Sequence, residues 1–88
     1  MVSEKVKVIN PQGMHMRPAQ VFVTAMNPYK CGVTINFDGK AINGKSIMAL
    51  MSSRIKQDSE IEICCDGEQE AEALAAAVNL VKSGLGDM

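Results

Sequence analysis

Residues 33–43 read VTINFDGKAIN, and this stretch decides the fold class. Apolar side chains at positions 33, 35 and 37 alternate with polar ones, which is the pattern of a strand with one buried face. Asp38-Gly39 follows directly, and Asp-Gly between alternating segments is a strong signal for a tight hairpin turn. Residues 40–43 return as a second strand, which Gly44 ends. The stretch therefore predicts an antiparallel β-hairpin.

Two further strands are predicted on either side of this hairpin. Val6 and Val8 mark the first, which ends near Asn10-Pro11, and a loop is expected from Gln12 to Met16. In residues 60–65 isoleucines alternate with glutamates and then cysteines, so this segment also has the pattern of a half-buried strand. The sheet is therefore expected to contain four strands.

Three helices separate or follow these strands. Apolar residues at helical spacing predict one over residues 18–27, and Pro28 stops it. Ser46 is placed to cap a short helix over residues 47–53. The last helix follows Asp66-Gly67 and carries an apolar stripe of Ala71, Leu74, Val78 and Val81.

The resulting order, βαββαβα, predicts an α+β fold. Strands with alternating burial imply a sheet with one solvated face and helices packed on the other. We therefore expect an open-faced β-sandwich, in which a four-stranded antiparallel sheet carries three helices on one face. Residues 1–88 are long enough for one domain only.

Composition excludes several classes of function. Nine Lys and Arg balance ten Asp and Glu, and aromatic residues are few, so a nucleic-acid partner is not expected. No apolar run approaches membrane-spanning length, and no signal segment opens the chain, so membrane insertion is not expected either. The odd number of cysteines, Cys31, Cys64 and Cys65, fits free thiols in a reducing cytoplasm. Their spacing predicts no metal site.

Residues 13–19, GMHMRPA, contain the single histidine of the chain. His15 lies two residues before Arg17, and Pro18 can open a helix, because its missing N–H would have no partner at the first helical position. The free N–H groups and the positive end of the helix dipole would then face a group carried on His15. This arrangement points to phosphoryl transfer.

Three segments together resemble HPr, the histidine-containing phosphocarrier of the bacterial phosphoenolpyruvate:sugar phosphotransferase system. They are residues 13–19, residues 37–40 (FDGK) and residues 44–52 (GKSIMALMS), and the resemblance covers essentially the whole chain. The last segment is similar to the Gram-positive branch of the family, which favours a role in sugar uptake. Met16 replaces the small residue that usually stands between the histidine and the arginine.

The resemblance implies a carrier with a transient phosphohistidine rather than a stand-alone turnover enzyme. His15 would accept a phosphoryl group at Nδ1 from enzyme I, charged by phosphoenolpyruvate, and pass it to EIIA components of sugar permeases. Arg17 would stabilise the phosphate, since its planar fork suits phosphate oxygens. No cofactor is implied, and any Mg²⁺ would belong to partner enzymes. We expect a cytoplasmic monomer.

Ser46 and the short helix after it carry two further expectations. In the Gram-positive branch, a serine matching Ser46 is phosphorylated by HPr kinase/phosphorylase, and added charge is favourable at a helix N-terminus. Ile47, Met48 and Met51 are expected to stay exposed and to contact partners, because a helix this short has a single inward stripe. Leu50 is expected to face inward.

Two alternatives to the carrier hypothesis remain open from the sequence. The first is a regulatory paralogue in which the Ser46-phosphorylated form is a cofactor of a catabolite control transcription factor. Some family members have lost the histidine and act only in this way, whereas His15 is present here. The second is a structural or ligand-binding module without transfer, which would make the whole motif a coincidence.

Overall fold

Within residues 1–86, which the computed structural model describes, four strands and three helices follow in the predicted order. The strands are β1 (Val2–Lys7), β2 (Cys31–Phe37), β3 (Lys40–Asn43) and β4 (Glu60–Gly67). The helices are α1 (Met16–Met26), α2 (Ile47–Ser52) and α3 (Glu70–Lys82). None of the helices in this range is long and apolar enough to cross a bilayer.

The four strands form one antiparallel sheet in the order β1-β4-β2-β3. The register places Ile35 of β2 opposite Ile63 of β4 on one side and Ile42 of β3 on the other. In the same way, Val6 of β1 faces Ile61 of β4. All of these side chains are buried, so one face of the sheet is apolar and the helices cover it. The predicted open-faced β-sandwich is confirmed.

The hairpin turn between β2 and β3 follows the sequence prediction closely. Asp38 has φ +52° and Gly39 has φ +77°, and two successive positive φ values are the mark of a type I′ turn. This turn twists in the same sense as the strands that it joins. The Asp-Gly pair is favoured there because both residue types tolerate the left-handed region.

The core lies between the apolar face of the sheet and the helices. From the helical side, its largest fully buried side chains are Phe22, Met26, Leu50, Val81 and Leu85, and from the sheet they are Ile35, Ile61 and Ile63. The predicted inward position of Leu50 is confirmed, since this side chain is fully buried. Packing of α1 against both α2 and α3 brings the helices into one layer.

Three predictions about these elements need correction. β1 ends at Lys7 rather than near Asn10-Pro11, because its pairing with β4 runs from Val2 to Lys7. β4 extends to Gly67 because Gly67 pairs with Cys31 of β2, so Asp66-Gly67 belongs to the strand and α3 begins later than expected. In α3, Ala71 is exposed rather than buried, and Ala73 and Ala77 are buried with the predicted Val78 and Val81. The sequence does not define the apolar stripe sharply, because alanines at five of the thirteen positions lie on several sides of the helix.

Candidate functional site

His15 is the N-cap of α1. Its φ of −75° and ψ of −179° are extended, its side chain is exposed, and its carbonyl accepts the first helical hydrogen bond, from the Ala19 N–H at 3.0 Å. The helix therefore begins at Met16, two residues before the predicted start, and Pro18 occupies the third helical position. Proline is tolerated there because the N–H groups of the first turn have no carbonyl to bind.

The first turn of α1 presents backbone donors next to His15. The N–H groups of Met16 and Arg17 precede the first helical hydrogen bond, so no carbonyl within the helix can accept from them. The positive end of the helix dipole lies at the same place. An anionic group attached to the imidazole would therefore meet a favourable field and free donors.

The loop before His15 is anchored at several points. The side-chain Nδ2 of buried Asn10 donates to the Gly13 carbonyl at 2.7 Å, and the Met14 N–H donates to the Ile55 carbonyl at 3.0 Å. The Met14 side chain is buried, although the sequence predicts an exposed loop here. Its burial depends on the segment around Ile55, which is distant in sequence. These contacts hold the loop in place and thereby fix the backbone position of His15.

A shallow depression of about 430 Å³ opens beside His15 and contains Arg17. The structure therefore places both predicted residues at one site, with Gln12, Met16 and Gln20 completing the lining. The site is open to solvent, so a second protein can reach the imidazole.

A second, smaller depression of about 200 Å³ shares Gln12, His15 and Met16 with the first. Its far side consists of Met51, at the end of α2, and the loop residues Arg54, Ile55 and Lys56. The sequence does not predict that Arg54 and Lys56 are neighbours of the histidine. No local signal could have found them, because only the tertiary contact between the two loops brings them there.

Ser46 is the N-cap of α2, as predicted. Its Oγ accepts a hydrogen bond from the Ala49 N–H at 3.2 Å, and its backbone is extended. The adjacent Lys45 is held by its Nζ, which donates to the Tyr29 carbonyl at 2.6 Å. The Ser46 side chain is half-buried and does not line either depression beside His15.

The three apolar residues expected on the surface of α2 are exposed. Ile47 retains 36%, Met48 72% and Met51 38% of its accessible surface. Met51 alone of the three lines the smaller depression, so it connects the exposed face of α2 to His15. Met16, also exposed, lines the same depression and adds to this apolar surface beside His15.

The three cysteines are unpaired. Cys65 is buried on the core face of β4, and its neighbour Cys64 is only partly buried, as expected for adjacent strand residues. Burial, together with the nearby Cys31 thiol, raises the pKa of Cys65 to about 11. Burial also raises the pKa of Cys64, and the charge of Glu62 adds to this effect. Within residues 1–86, no three His, Cys, Asp or Glu side chains form a group that could hold a metal ion.

Residues 2–83 match the family described as the PTS HPr component phosphorylation site. The HPr-like protein Crh of Bacillus subtilis (strain 168) is 42% identical over 74 residues, which cover 84% of this chain and 87% of that protein. The phosphocarrier protein HPr of Borreliella burgdorferi is 35% identical over 78 residues, covering 89% and 88%.

Solved structures show the same similarity. HPr-C-His from Thermoanaerobacter tengcongensis superposes with a TM-score of 0.94 at 32% identity, covering all of this chain and 99% of that one. An HPr dimer from the same organism gives a TM-score of 0.77 at 32% identity, covering 98% and 99%. Relatives of this chain therefore include both HPr and Crh, and at least one of them has been solved as a dimer.

Proposed function

The chain belongs to the HPr family of the phosphotransferase system, and from this premise we propose that it carries a phosphoryl group on His15. The donor is enzyme I, charged by phosphoenolpyruvate, and the acceptors are EIIA domains of sugar permeases. The observation that carries the proposal is the exposed His15 at the N-terminus of α1, with Arg17 on the same depression.

The transfer needs little from this chain beyond a nucleophile and a place for negative charge. The lone pair of a neutral His15 nitrogen, Nδ1 by family resemblance, forms the new N–P bond. The N–P bond to the donor histidine breaks, and its electron pair returns to the donor imidazole. The onward step to EIIA is the same exchange with His15 as the donor. This exchange between two imidazoles requires no external oxidant, reductant or metal.

Arg17 is the cation assigned to the phosphoryl oxygens. A guanidinium forms paired, charge-assisted hydrogen bonds that a lysine ammonium does not reproduce. The N–H groups of Met16 and Arg17 add neutral donors at the helix N-terminus. Since the chain supplies one half of the site and each partner the other half, it acts as a carrier and not as a stand-alone enzyme.

The exposed face of α2 is proposed as the docking surface for these partners. Ile47, Met48 and Met51 are apolar and flexible, and flexible methionine surfaces fit several partners. Met51 makes this surface continuous with the His15 depression. Enzyme I and EIIA would act on the chain in the cytoplasm, where its free thiols are stable. One copy supplies all the residues named above, so we propose a monomer.

Intact mass spectrometry tests the proposal. The wild type and His15→Ala are incubated with phosphoenolpyruvate, Mg²⁺ and an enzyme I that phosphorylates a control HPr. One phosphoryl adduct on the wild type is expected, labile in acid, stable in base and absent from His15→Ala. An unmodified wild type beside a modified control would contradict the proposal.

A second function is favoured by the cap at Ser46 and by the similarity to Crh. A phosphate on Ser46 would lie at the N-terminus of α2, where negative charge is favourable and no unfolding is required. HPr kinase/phosphorylase would supply it, and the phosphorylated chain would bind a catabolite control transcription factor. This regulation is compatible with the carrier function, and in a purely regulatory paralogue it would replace it.

The regulatory function has its own test. The wild type, Ser46→Ala and Ser52→Ala are incubated with ATP and a bifunctional HPr kinase/phosphorylase. Ser52 lies on the same helix and donates to the Met48 carbonyl at 2.8 Å, which makes it a matched control. An acid-stable adduct is expected on the wild type and Ser52→Ala only. An adduct that persists in Ser46→Ala would remove Ser46 from the proposal.

A further inference from the structure

Arg54 occupies an unusual backbone position. It directly follows Ser53, the C-cap of α2, and its φ is +62°. Helices often end with a residue in the left-handed conformation at this place. That residue is commonly glycine, because glycine has no Cβ that would clash there. An arginine gains nothing from the turn itself. Its presence therefore calls for a role of the side chain.

The backbone places Arg54 next to His15. The two segments run in opposite directions: Val8 exchanges hydrogen bonds with Asp58 and Ser59, and further along Met14 donates to Ile55 at 3.0 Å. One residue beyond the Met14–Ile55 contact on each segment are His15 and Arg54. Both side chains are exposed, and both line the smaller depression.

Gly13 fixes the separation between the two loops. A Cβ at this position would lie 2.2 Å from the Ile55 carbonyl oxygen and 2.7 Å from the Lys56 Cα, so the two backbones are in direct contact. The loop of Arg54 is held on its other side by Lys56, whose N–H donates to the Ser59 Oγ at 3.1 Å. The guanidinium therefore extends from a fixed backbone.

The charges around the histidine are positive on both sides. Arg17 lines the larger depression, and Arg54 and Lys56 line the smaller one. Among residues 1–86, no carboxylate lies within 4 Å of either guanidinium or of the Lys56 ammonium. A phosphoryl group with about two negative charges and three acceptor oxygens could use donors from both sides.

We propose that Arg54 binds the phosphoryl group on His15 from the side opposite Arg17. This inference rests on the proposed function, because it concerns the phosphorylated state of His15. It adds a second guanidinium, from the loop after α2, to the site that the start of α1 forms. The phosphoryl group would then be held between two loops whose relative position Gly13 fixes.

The test compares Arg54→Gly, Arg54→Lys and Lys30→Ala with the wild type. Glycine removes the guanidinium and suits the left-handed backbone, so this variant should fold at least as stably as the wild type. Lys30 is an exposed cation beyond the far end of α1, and Lys30→Ala therefore controls for the loss of one charge. Thermal unfolding of each variant verifies the fold.

Two measurements are made on these proteins. Single-turnover transfer from phosphorylated enzyme I should slow about tenfold in Arg54→Gly, less in Arg54→Lys and less than about twofold in Lys30→Ala. ³¹P NMR of the isolated phosphorylated chains then tests for a direct contact. In Arg54→Gly, the second pKa of the phosphoryl group should rise by about 0.5, because the variant lacks the nearby cation that favours the dianion.

The outcomes separate this inference from the function on which it rests. Slower transfer together with a raised phosphoryl pKa supports the contact. Slower transfer with an unchanged phosphoryl pKa would indicate that Arg54 contacts the partner protein instead, and it would overturn the inference. An unchanged transfer rate together with an unchanged phosphoryl pKa would overturn it as well. If the wild type accepts no phosphoryl group at all, the proposed function fails first.

Discussion

Gly13 shows how one residue positions the candidate site. It has φ +60°, and its backbone touches that of Ile55 and Lys56, so both its conformation and its missing side chain are used. Gly39 in the hairpin turn also has a positive φ, +77°, but nothing lies within 4 Å of the place where a Cβ would stand. Substitutions at these two positions therefore distinguish the cost of a left-handed backbone, which both share, from the cost of a steric clash, which only Gly13 has.

Alanine at these two positions should have different costs. Gly39→Ala should lower the free energy of unfolding by about 1 kcal/mol, the cost of a left-handed alanine. Gly13→Ala should lower it by about 3 kcal/mol, since overpacking against the Ile55 carbonyl is added to that cost. Urea unfolding of both variants measures the difference. Equal losses would show that the two loops are not in contact.

Single residues also mark the limit of what could be predicted. His15 and Arg17 could be chosen because they lie together in a motif at the start of a helix. Met14, Arg54 and Lys56 could not, because their burial or their place beside His15 depends on the pairing of two loops distant in sequence. No pattern in the sequence around Arg54 indicates that this residue lies close to a histidine in space.

At the scale of elements, α2 is short enough for its cap to matter. It contains six residues, and the Ser46 hydroxyl accepts from the Ala49 N–H in the first turn. Ser46→Ala should therefore destabilise the chain by about 1 kcal/mol, whereas Ser46→Asp should keep the cap and stay within about 0.5 kcal/mol of the wild type. Thermal unfolding measures both.

Ser52→Ala is the control for this prediction. Ser52 lies in the last turn of the same helix and is exposed, so its loss should change the stability by less than about 0.5 kcal/mol. A Ser46→Ala variant as stable as Ser52→Ala would contradict the assigned cap.

Strand β4 carries a pH dependence through Cys65. Burial and the neighbouring Cys31 thiol raise the pKa of this thiol from 9.0 to about 11. A thiol with a raised pKa in the folded state contributes stability that is fully present below pH 9.0. That stability is lost as the pH rises toward 11, because the unfolded chain ionises first.

The free energy of unfolding of the wild type should therefore fall more steeply than that of Cys65→Ala between pH 9 and pH 11. Urea titrations at a series of pH values provide the comparison, and ionisation of other groups is common to both proteins. Parallel pH profiles would show that Cys65 titrates as a free thiol.

The elements could be predicted to different degrees. Strands β2 and β3 were accessible from the sequence because alternation and the Asp-Gly turn are local signals, and both positive φ values are present. The sequence predicts the start of α1 two residues too late, since a proline is tolerated throughout the first turn, where the N–H groups have no partner within the helix. The length of β4 could not be predicted, because pairing with Cys31 extends it.

At the scale of the whole molecule, the large exposed apolar side chains within residues 1–86, apart from Met1, all lie on α1 and α2. Met16, Ile47, Met48 and Met51 belong to α1 and α2, whereas exposed cations are found on both edge strands, with Lys5 and Lys7 on β1 and Lys40 on β3. Charged edge strands discourage pairing between sheets of two copies. This distribution supports the proposal that transient partners dock at the helices and not at the sheet edges.

We accordingly expect a monomer at the concentrations at which transfer is assayed. Sedimentation velocity over a hundredfold range of concentration should give one species with a mass near 9.5 kDa. A dimer, as found in the structure of the relative from Thermoanaerobacter tengcongensis, would contradict the expectation. Loss of that dimer in Met48→Ser would then identify α2 as the interface.

A reconstituted relay tests whether His15 both accepts a phosphoryl group and passes it on. Radiolabelled phosphoenolpyruvate, a trace of enzyme I and an EIIA domain that a control HPr can phosphorylate are mixed with the wild type or with His15→Ala. Label should accumulate on EIIA with the wild type and remain at background with His15→Ala. Label on EIIA with both proteins, or with neither, would contradict the account.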